Sequence, residues 1–376
     1  VLLFILAALM MPAAAVGQTS VAASDTVRVV AGARYAGGGL HRALLGDGWR
    51  DLWIAEIRVP VVDLERTGGG LRPVARGGGF QTRSLEMESG DGRAFRFRSV
   101  DKDPSQTLPL WFRLPGLVQM IRDQTSALFP AGALVAAELA EVAGIPHPIP
   151  HLVVMPDDAR LGEFRREFGG MLGILEERHS PQSVEPARDG FQRVVGTDTL
   201  YTLLAASDGA AAVDQRQYLA ARLLDLYLND WDRHGGNWLW GTRDAGPPQR
   251  WIAIPKDRDQ ALANYGGAIV ALVRRFIPKL LPLTTEYHLE GLTVNSSALD
   301  DRFLRGLPPE VWDSAAVALR TRLTDGAIEQ ALRAMPQPYY QRSRDQLLML
   351  LRARRTGLPA AARAWARSLA NAGGGV

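Results

Sequence analysis

Asn229-Asp230-Trp231-Asp232-Arg233-His234-Gly235-Gly236-Asn237-Trp238-Leu239-Trp240 and, a short gap later, Arg250-Trp251-Ile252-Ala253-Ile254-Pro255-Lys256-Asp257-Arg258-Asp259 together decide the fold of this chain. Upstream, Gln217–Leu228 carries Leu219, Leu223, Leu224 and Tyr227 on one stripe, which predicts a helix ending where the first stretch begins. The residues after Leu228 read as polar loop, strand, turn, strand and acidic loop. Asp232, Asn237 and Asp257 then fall at neighbouring ends of one small hairpin. Such an oxygen-rich set suits Mg²⁺ or Mn²⁺, hard cations that leave room for phosphate oxygens. The plainer alternative is that Asp232 and Asn237 cap a helix and close a tight turn. His234 reads as a packed or hydrogen-bonded loop residue, since no other histidine stands at zinc-ligand spacing from it. Trp231, Trp238, Trp240 and Trp251 read as core beneath the hairpin.

Working outward, the first half of the chain is β-rich and the second half helical. A strand is expected near Ile54–Val62, and Ser84–Glu88 and Ala94–Val100 alternate as strands joined by Gly90-Asp91-Gly92. In the latter, Phe95 and Phe97 face one side while Arg96 and Arg98 face the other. Helical periodicity runs over 117–143, is interrupted at Phe129-Pro130 and stops at Gly144; His151–Met155 and Met171–Leu175 fit buried strands. Residues 180–215 read as an insertion with a short helix near Thr199–Ala206, and Val270–Leu369 as mostly helical. The expected domains are a signal peptide (1–24), an N-terminal extension (25–64), a β-rich lobe (65–178), a helical lobe bearing the hairpin (179–370) and a frayed tail (371–376).

Composition narrows the function. The chain has 376 residues, ample for two lobes with their own cores, and 47% hydrophobic with 22% charged residues marks it as globular. A net charge of +3 gives no electrostatic footprint for nucleic acid. Cysteine is absent, which excludes disulfides, thiolate catalysis and cysteine-bound zinc. Leu2–Met11 is an uncharged apolar run followed by small residues, too short to span a bilayer and suited to a secretory signal. No later run is expected to cross a membrane. The mature protein is therefore expected in the periplasm, on the outer-membrane surface or outside the cell. The lysines are Lys102, Lys256 and Lys279, so chemistry that needs one has few candidates.

The spacing from Asp232 to Asn237 matches the D-x-x-x-x-N catalytic loop of phosphoryl-transfer kinases. Asp232-Arg233-His234-Gly235-Gly236-Asn237 resembles the D-R-H-x-x-N loop of atypical kinases, and the match is nearest to the spore-coat CotH-type kinase family. Its P-x-D-x-D after a hairpin is similar to Ile254-Pro255-Lys256-Asp257-Arg258-Asp259, and Phe97–Ser105 resembles its third strand and following D-P-S. Gly144-Ile145-Pro146 and Leu175-Glu176-Glu177 sit where its second-helix end and hinge would fall. The chain as a whole also resembles bacterial envelope proteins associated with outer-membrane surface antigens, which makes such a protein an expected partner.

The resemblance implies an α+β, two-lobed protein-kinase-like fold with a β-rich N-lobe and a mostly helical C-lobe. It implies ATP with Mg²⁺ or Mn²⁺, and a hydroxyl of a protein or small molecule as acceptor. Asp232 would be the catalytic aspartate; Asn237 and Asp257 would hold the metal, with Asp259 as competing or second ligand. Gly77-Gly78-Gly79 would be the turn covering the phosphates. The phosphate-binding cation falls on Arg98 or Lys102, Glu176 lies at the hinge, and the helix acid is Asp123, Glu138 or Glu141. Where the family carries lysine this chain has Arg98, whose fork meets phosphate with different geometry. Two further functions stay open: a catalytically inactive pseudokinase serving as an envelope binding or assembly module, and a metallophosphoesterase. The latter class needs D-x-H, G-N-H and H-x-H blocks that the sequence lacks.

Overall fold

The alternating strands predicted around Arg98 sit in the middle of a seven-stranded sheet. The structure is a computed structural model, and it describes residues 21–77, 82–107, 114–178 and 190–372. The large sheet holds β1 (Ala23–Val30), β2 (Glu56–Val62), β3 (Leu71–Arg76), β4 (Thr82–Ser89), β5 (Ala94–Lys102), β6 (Pro150–Val154) and β7 (Leu172–Arg178), in the order β1-β2-β6-β7-β5-β4-β3. Every neighbouring pair is antiparallel except β2 and β6. Phe95 and Phe97 of β5 are fully buried with Leu85, Met87, Phe168 and Leu175. Period-2 alternation then leaves Arg96 and Arg98 on the opposite face, toward the rest of the molecule.

The expectation that residues 25–64 form a separate extension is corrected by this sheet, to which they contribute β1 and β2. They also supply the short helices α1 (Gly39–Leu45) and α2 (Arg50–Trp53). Val59 and Ile57 of β2 are buried in the main core, so the segment cannot be detached from it. Trp49 and Trp53 anchor it further: their indole N–H groups donate to the carbonyls of Leu262 and Leu128, both at 2.8 Å. Arg342, near the C-terminus, donates to the Asp51 carbonyl at 2.6 Å.

The helical stretch predicted over 117–143 is α3 (Pro115–Asp123) and α4 (Gly132–Ala143), separated by a tight 3-10 turn at Gln124–Ala127. Gly144 ends α4 at φ 69°, a left-handed position that glycine adopts without strain. Contrary to the sequence expectation, Gly116–Ala143 is by length and composition alone long and apolar enough to cross a bilayer; in the fold 67% of its most apolar 18-residue stretch is buried, as for core helices. A one-turn helix, α5 (Arg165–Phe168), precedes β7.

Beyond β7, the region expected as an insertion supplies β8 (Arg193–Gly196), α6 (Thr197–Ala206) and β9 (Ala211–Val213). These strands join the predicted hairpin, β10 (Trp238–Thr242) and β11 (Gln249–Pro255), in a four-stranded sheet of order β8-β10-β11-β9. The predicted helix is α7 (Gln215–Tyr227), capped by the Asp214 side chain on the Gln217 N–H at 3.0 Å. The rest is helical: α8 (Ala268–Val273), α9 (Leu289–Thr293), α10 (Ser297–Leu304), α11 (Pro309–Arg322), α12 (Asp325–Leu332) and α13 (Gln337–Ala372). α7 is buried along its length, and Trp238, Trp240 and Trp251 are fully buried against Tyr218 and its neighbours. The tryptophans are core, as read from the sequence. The architecture is α+β, with a β-rich N-terminal half and a mostly helical C-terminal half.

Candidate functional site

The loop from Asp232 to Asn237 is built outward from a buried charge. Asn229 turns the chain out of α7 at φ 59°, its side-chain N–H donating to the Ala263 carbonyl at 2.9 Å. Arg233 then enters the core, fully buried, with its guanidinium 4.8 Å from the ring centre of Trp238. It donates to the carbonyl of Asn237 at 3.0 Å and to that of Lys256 at 2.9 Å, and it pairs with Asp225 at 3.3 Å and Asp230 at 3.7 Å. One side chain thus fastens the end of the first loop to the start of the second. The Lys256 N–H closes the link from the other side, donating to Asn237 O at 3.0 Å.

The second loop alternates inward and outward. Asp257 adopts φ 58°, a conformation that a non-glycine residue holds only when its surroundings impose it. Arg258 is buried and pairs with Asp225 at 2.8 Å. Asp257 and Asp259, on either side of it, reach across to β5, where Asp257 pairs with Arg98 and Asp259 with Lys102. Arg98 and Lys102 thus each meet one carboxylate of the loop. Glu176 of β7 completes the set, 3.3 Å from Arg98. Burial pushes the Asp259 carboxyl up, but Lys102 and then Arg98 outweigh it and hold the group below the usual carboxylate range.

None of the three helix acids meets these cations. Asp123 at the end of α3 takes Arg50 at 2.5 Å and His41 at 3.0 Å, while Glu138 and Glu141 are exposed. The cation partners come from the acidic loop and from β7 instead.

Gly77 closes the β3–β4 hairpin, its N–H donating to Ser84 O at 2.8 Å; a Cβ there would lie 2.3 Å from Ser84 Oγ. Gly78 and Gly79 lie outside the described residues. Register sets Thr82, which comes after this loop, opposite Lys102. Thr82 and Lys102 share a cleft with Asp259, walled by Trp53, Phe129 and Ile174.

Asp232 sits at the mouth of the assembly, its carboxylate accepting from the Asn295 side-chain N–H at 2.8 Å. Asn237 donates its amide N–H to the Asp232 carbonyl at 2.7 Å, which leaves the amide oxygen as its acceptor end. His234 is a loop residue, with Nδ1 accepting from the Gly236 N–H at 3.0 Å. Among the described residues, no three carboxylate or imidazole side chains gather as a metal cage. By type, a carboxylate such as Asp257 and an amide oxygen such as that of Asn237 can serve Mg²⁺, which takes one or two carboxylates and keeps places for phosphate. Asp259 is the further carboxylate on the same turn.

Asp225, Asp230, Arg258 and Asn295 do not stand out in the sequence. Asn295 lies 63 residues from Asp232 in the chain and only the fold joins them. Asp230 accepts from the Asp232 N–H at 3.2 Å. Burial, opposed by Arg233 and reinforced by Asp225, raises its carboxyl to about 7. Lys256 is pushed down to about 8 by burial and then by Arg96, Arg178 and Arg98.

No family model and no curated protein matches the sequence. Among solved structures, the Helicobacter pylori proinflammatory kinase CtkA is similar over 80% of this chain and 96% of its own, at 11% identity and a TM-score of 0.40. HipA of Shewanella oneidensis, solved with HipB and operator DNA, is similar over 78% of this chain and 74% of its own, at 13% identity and a TM-score of 0.38. At such scores the likeness carries no weight of its own.

Proposed function

We propose that this protein is an exported kinase-like phosphotransferase that moves a phosphoryl group from a nucleotide to a hydroxyl of a protein or small molecule, with Mg²⁺ or Mn²⁺. The observation that carries this is the pairing of Asp257 and Asp259 with Arg98 and Lys102, on a turn that Arg233 fastens to the Asp232–Asn237 loop. Counted from the glycine hairpin, β5 is the third strand, where kinases place their phosphate-binding cation. Helices α3 and α4 come next, then β6 and β7 with the one-turn α5 between them, before the second lobe.

In this reading Asp232 faces the acceptor. Its carboxylate, held by Asn295, orients the hydroxyl and takes its proton. Arg98 and Lys102 neutralise phosphate oxygens. Asn237 and Asp257 would hold the metal, and a bound divalent ion would supply further charge neutralisation on the phosphates. Export to the envelope and association with a surface-antigen-type partner belong to the same proposal and rest on the sequence.

One observation favours a pseudokinase as the second reading: the cation of β5 has no acidic partner on α3 or α4 among the described residues, and both carboxylates of the loop are already paired. Melting of the full chain with ATP and Mg²⁺ or Mn²⁺, together with radiolabelled transfer to a generic protein acceptor, separates the two. The proposal expects a nucleotide shift, and transfer that is lost in both Asp232→Ala and Asp257→Ala. A metal-dependent shift without transfer would favour the pseudokinase; no shift at all would overturn nucleotide binding.

A further inference from the structure

The segment that follows the acidic turn is apolar on the side it turns to solvent. Between Asp259 and Glu286 the chain carries Arg274, Arg275 and Lys279 and no acid. α8 starts nine residues after Asp259, and the N–H groups of Phe276 and Ile277, both bonded to the Val273 carbonyl, carry its winding on to Ile277. Val270 packs into the core, while Ile269 and Val273 are half-buried. Ala268, Ala271, Leu272, Arg275 and Phe276 are exposed, and their spacing of three, four, seven and eight puts them on one helical stripe. On an ordinary surface helix that stripe is polar; here four of its five residues are apolar. Leu272 is 58% exposed and Phe276 83%, and Ile277 continues the edge.

The end of α1 adjoins this stripe. It meets the start of α8 so closely that a Cβ on Gly267 would lie 2.3 Å from the Gly46 nitrogen. Leu40 and Leu44, one turn apart on α1, are exposed as well. Among the described residues eleven large apolar side chains are exposed, and five of them stand on these two touching segments, whereas scattered singly they would call for no explanation. The cations nearby divide by use. Arg274 donates to the carbonyls of Leu280 at 2.6 Å and Tyr265 at 2.9 Å and so holds the turn. Arg42 of α1 is shared by Asp47 and Asp51, at 2.8 Å each. Lys279 lies 4.7 Å over the ring of Trp231. Arg275, within the stripe between Leu272 and Phe276, makes no ion pair or side-chain hydrogen bond among the described residues.

We infer that α8, with the adjoining end of α1, docks on an anionic lipid surface. Leu272, Phe276 and Ile277 enter the boundary of the acyl chains, and the long side chain of Arg275 reaches back to the lipid phosphates. A bilayer offers an apolar layer and an anionic layer side by side, which is what a stripe of apolar residues around one unmatched cation requires. A second copy of the chain fits less well, because a two-fold contact through this stripe sets Arg275 against Arg275 with no acid of the stripe to relieve it. The inference stands apart from the phosphotransferase reading. Because Lys279 lies on Trp231, the neighbour of Asp232 in the chain, docking would hold the Asp232 loop close to the lipid.

The test is flotation of the full chain with vesicles of phosphatidylcholine alone and of phosphatidylcholine mixed with phosphatidylglycerol, at low and at high salt. Binding should be about tenfold tighter or more on the anionic vesicles and should weaken as salt is added. Phe276→Ser should weaken it by about tenfold, the loss of one inserted aromatic side chain. Arg275→Glu should weaken it by about tenfold or more, on the anionic vesicles alone. Both side chains are exposed, so the variants should melt with the wild type; should Phe276→Ser not fold, Leu272→Ser takes its place. No flotation, or equal binding to both vesicles, would overturn the inference. So would binding that survives both substitutions, which would belong to Leu2–Met11 or to another surface. Concentration-dependent dimerisation that Phe276→Ser abolishes, without flotation, would assign the face to a second copy instead. Nucleotide binding is read separately by the melting experiment above and is untouched by any of these outcomes.

Discussion

Replacing Arg233 by methionine removes the one side chain that holds the two functional loops together while keeping its apolar stem against Trp238. Five interactions go: the hydrogen bonds to Asn237 O, Lys256 O and, at 3.5 Å, Asp257 O, and the ion pairs with Asp225 and Asp230. Asp225 keeps Arg222 at 3.0 Å and Arg258 at 2.8 Å, so the carboxylate left without its counter-ion is Asp230. Asp230, already raised to about 7 beside Arg233, then takes up a proton instead of staying charged, so the cost is two buried carbonyls left without their guanidinium donor together with that protonation, about 3 kcal/mol or more and growing above about pH 7. With a urea slope of about 3 kcal/mol per molar, the unfolding midpoint should fall by at least about 1 M. Tryptophan fluorescence reads it, since Trp238, Trp240 and Trp251 surround the site. The diagnostic is the double variant: Asp230→Asn in the Arg233→Met background should return about 1 kcal/mol or more above about pH 8, where the single variant must hold Asp230 protonated, and little at about pH 6. A single-variant cost below about 1 kcal/mol, or two substitutions whose costs simply add, would refute the account of Arg233 as the clamp.

Asp232→Ala should leave the melting temperature within a few degrees of wild type and lower the transfer rate by about 10²–10⁴-fold, read by radiolabel incorporation. Asp123 is raised by burial but lowered more by Arg50 and His41, so its stabilisation is present above the ordinary carboxylate range and is lost as pH falls through its depressed value. Asp123→Asn should therefore cost about 2–3 kcal/mol at neutral pH in urea unfolding, a deficit that shrinks below about pH 4. Gly173→Ala would put a methyl 2.3 Å from the Phe97 ring and 2.5 Å from the Arg98 carbonyl, and should cost about 1–3 kcal/mol in the same assay. A neutral effect would mean that β5 and β7 are less tightly packed than described.

The local elements were legible because their signals are local. The stripe on Gln217–Leu228 predicts a helix found at Gln215–Tyr227, and the alternation of Phe95 and Phe97 with Arg96 and Arg98 predicts the two faces of β5. Spacing across a single hairpin singles out Asp232, Asn237 and Asp257, while Asp259 enters only through the family resemblance. What the sequence hides is anything set by long-range packing. The place of β1 and β2 in the large sheet depends on one parallel pairing with β6, some 90 residues away, for which the chain carries no mark. Asn295 holds Asp232 from a separate helix end, and the partner of Lys102 is an acid of the other lobe rather than of a nearby helix.

The indole hydrogen bonds of Trp49 and Trp53 have a mechanical consequence. The bond from Trp49 to Leu262 and that from Arg342 to Asp51 tie the N-terminal segment to the helical half, while the bond from Trp53 to Leu128 locks the same segment to the turn before α4. Parting the two halves at the site therefore means that Arg98 and Lys102 let go of the acidic turn while these ties hold.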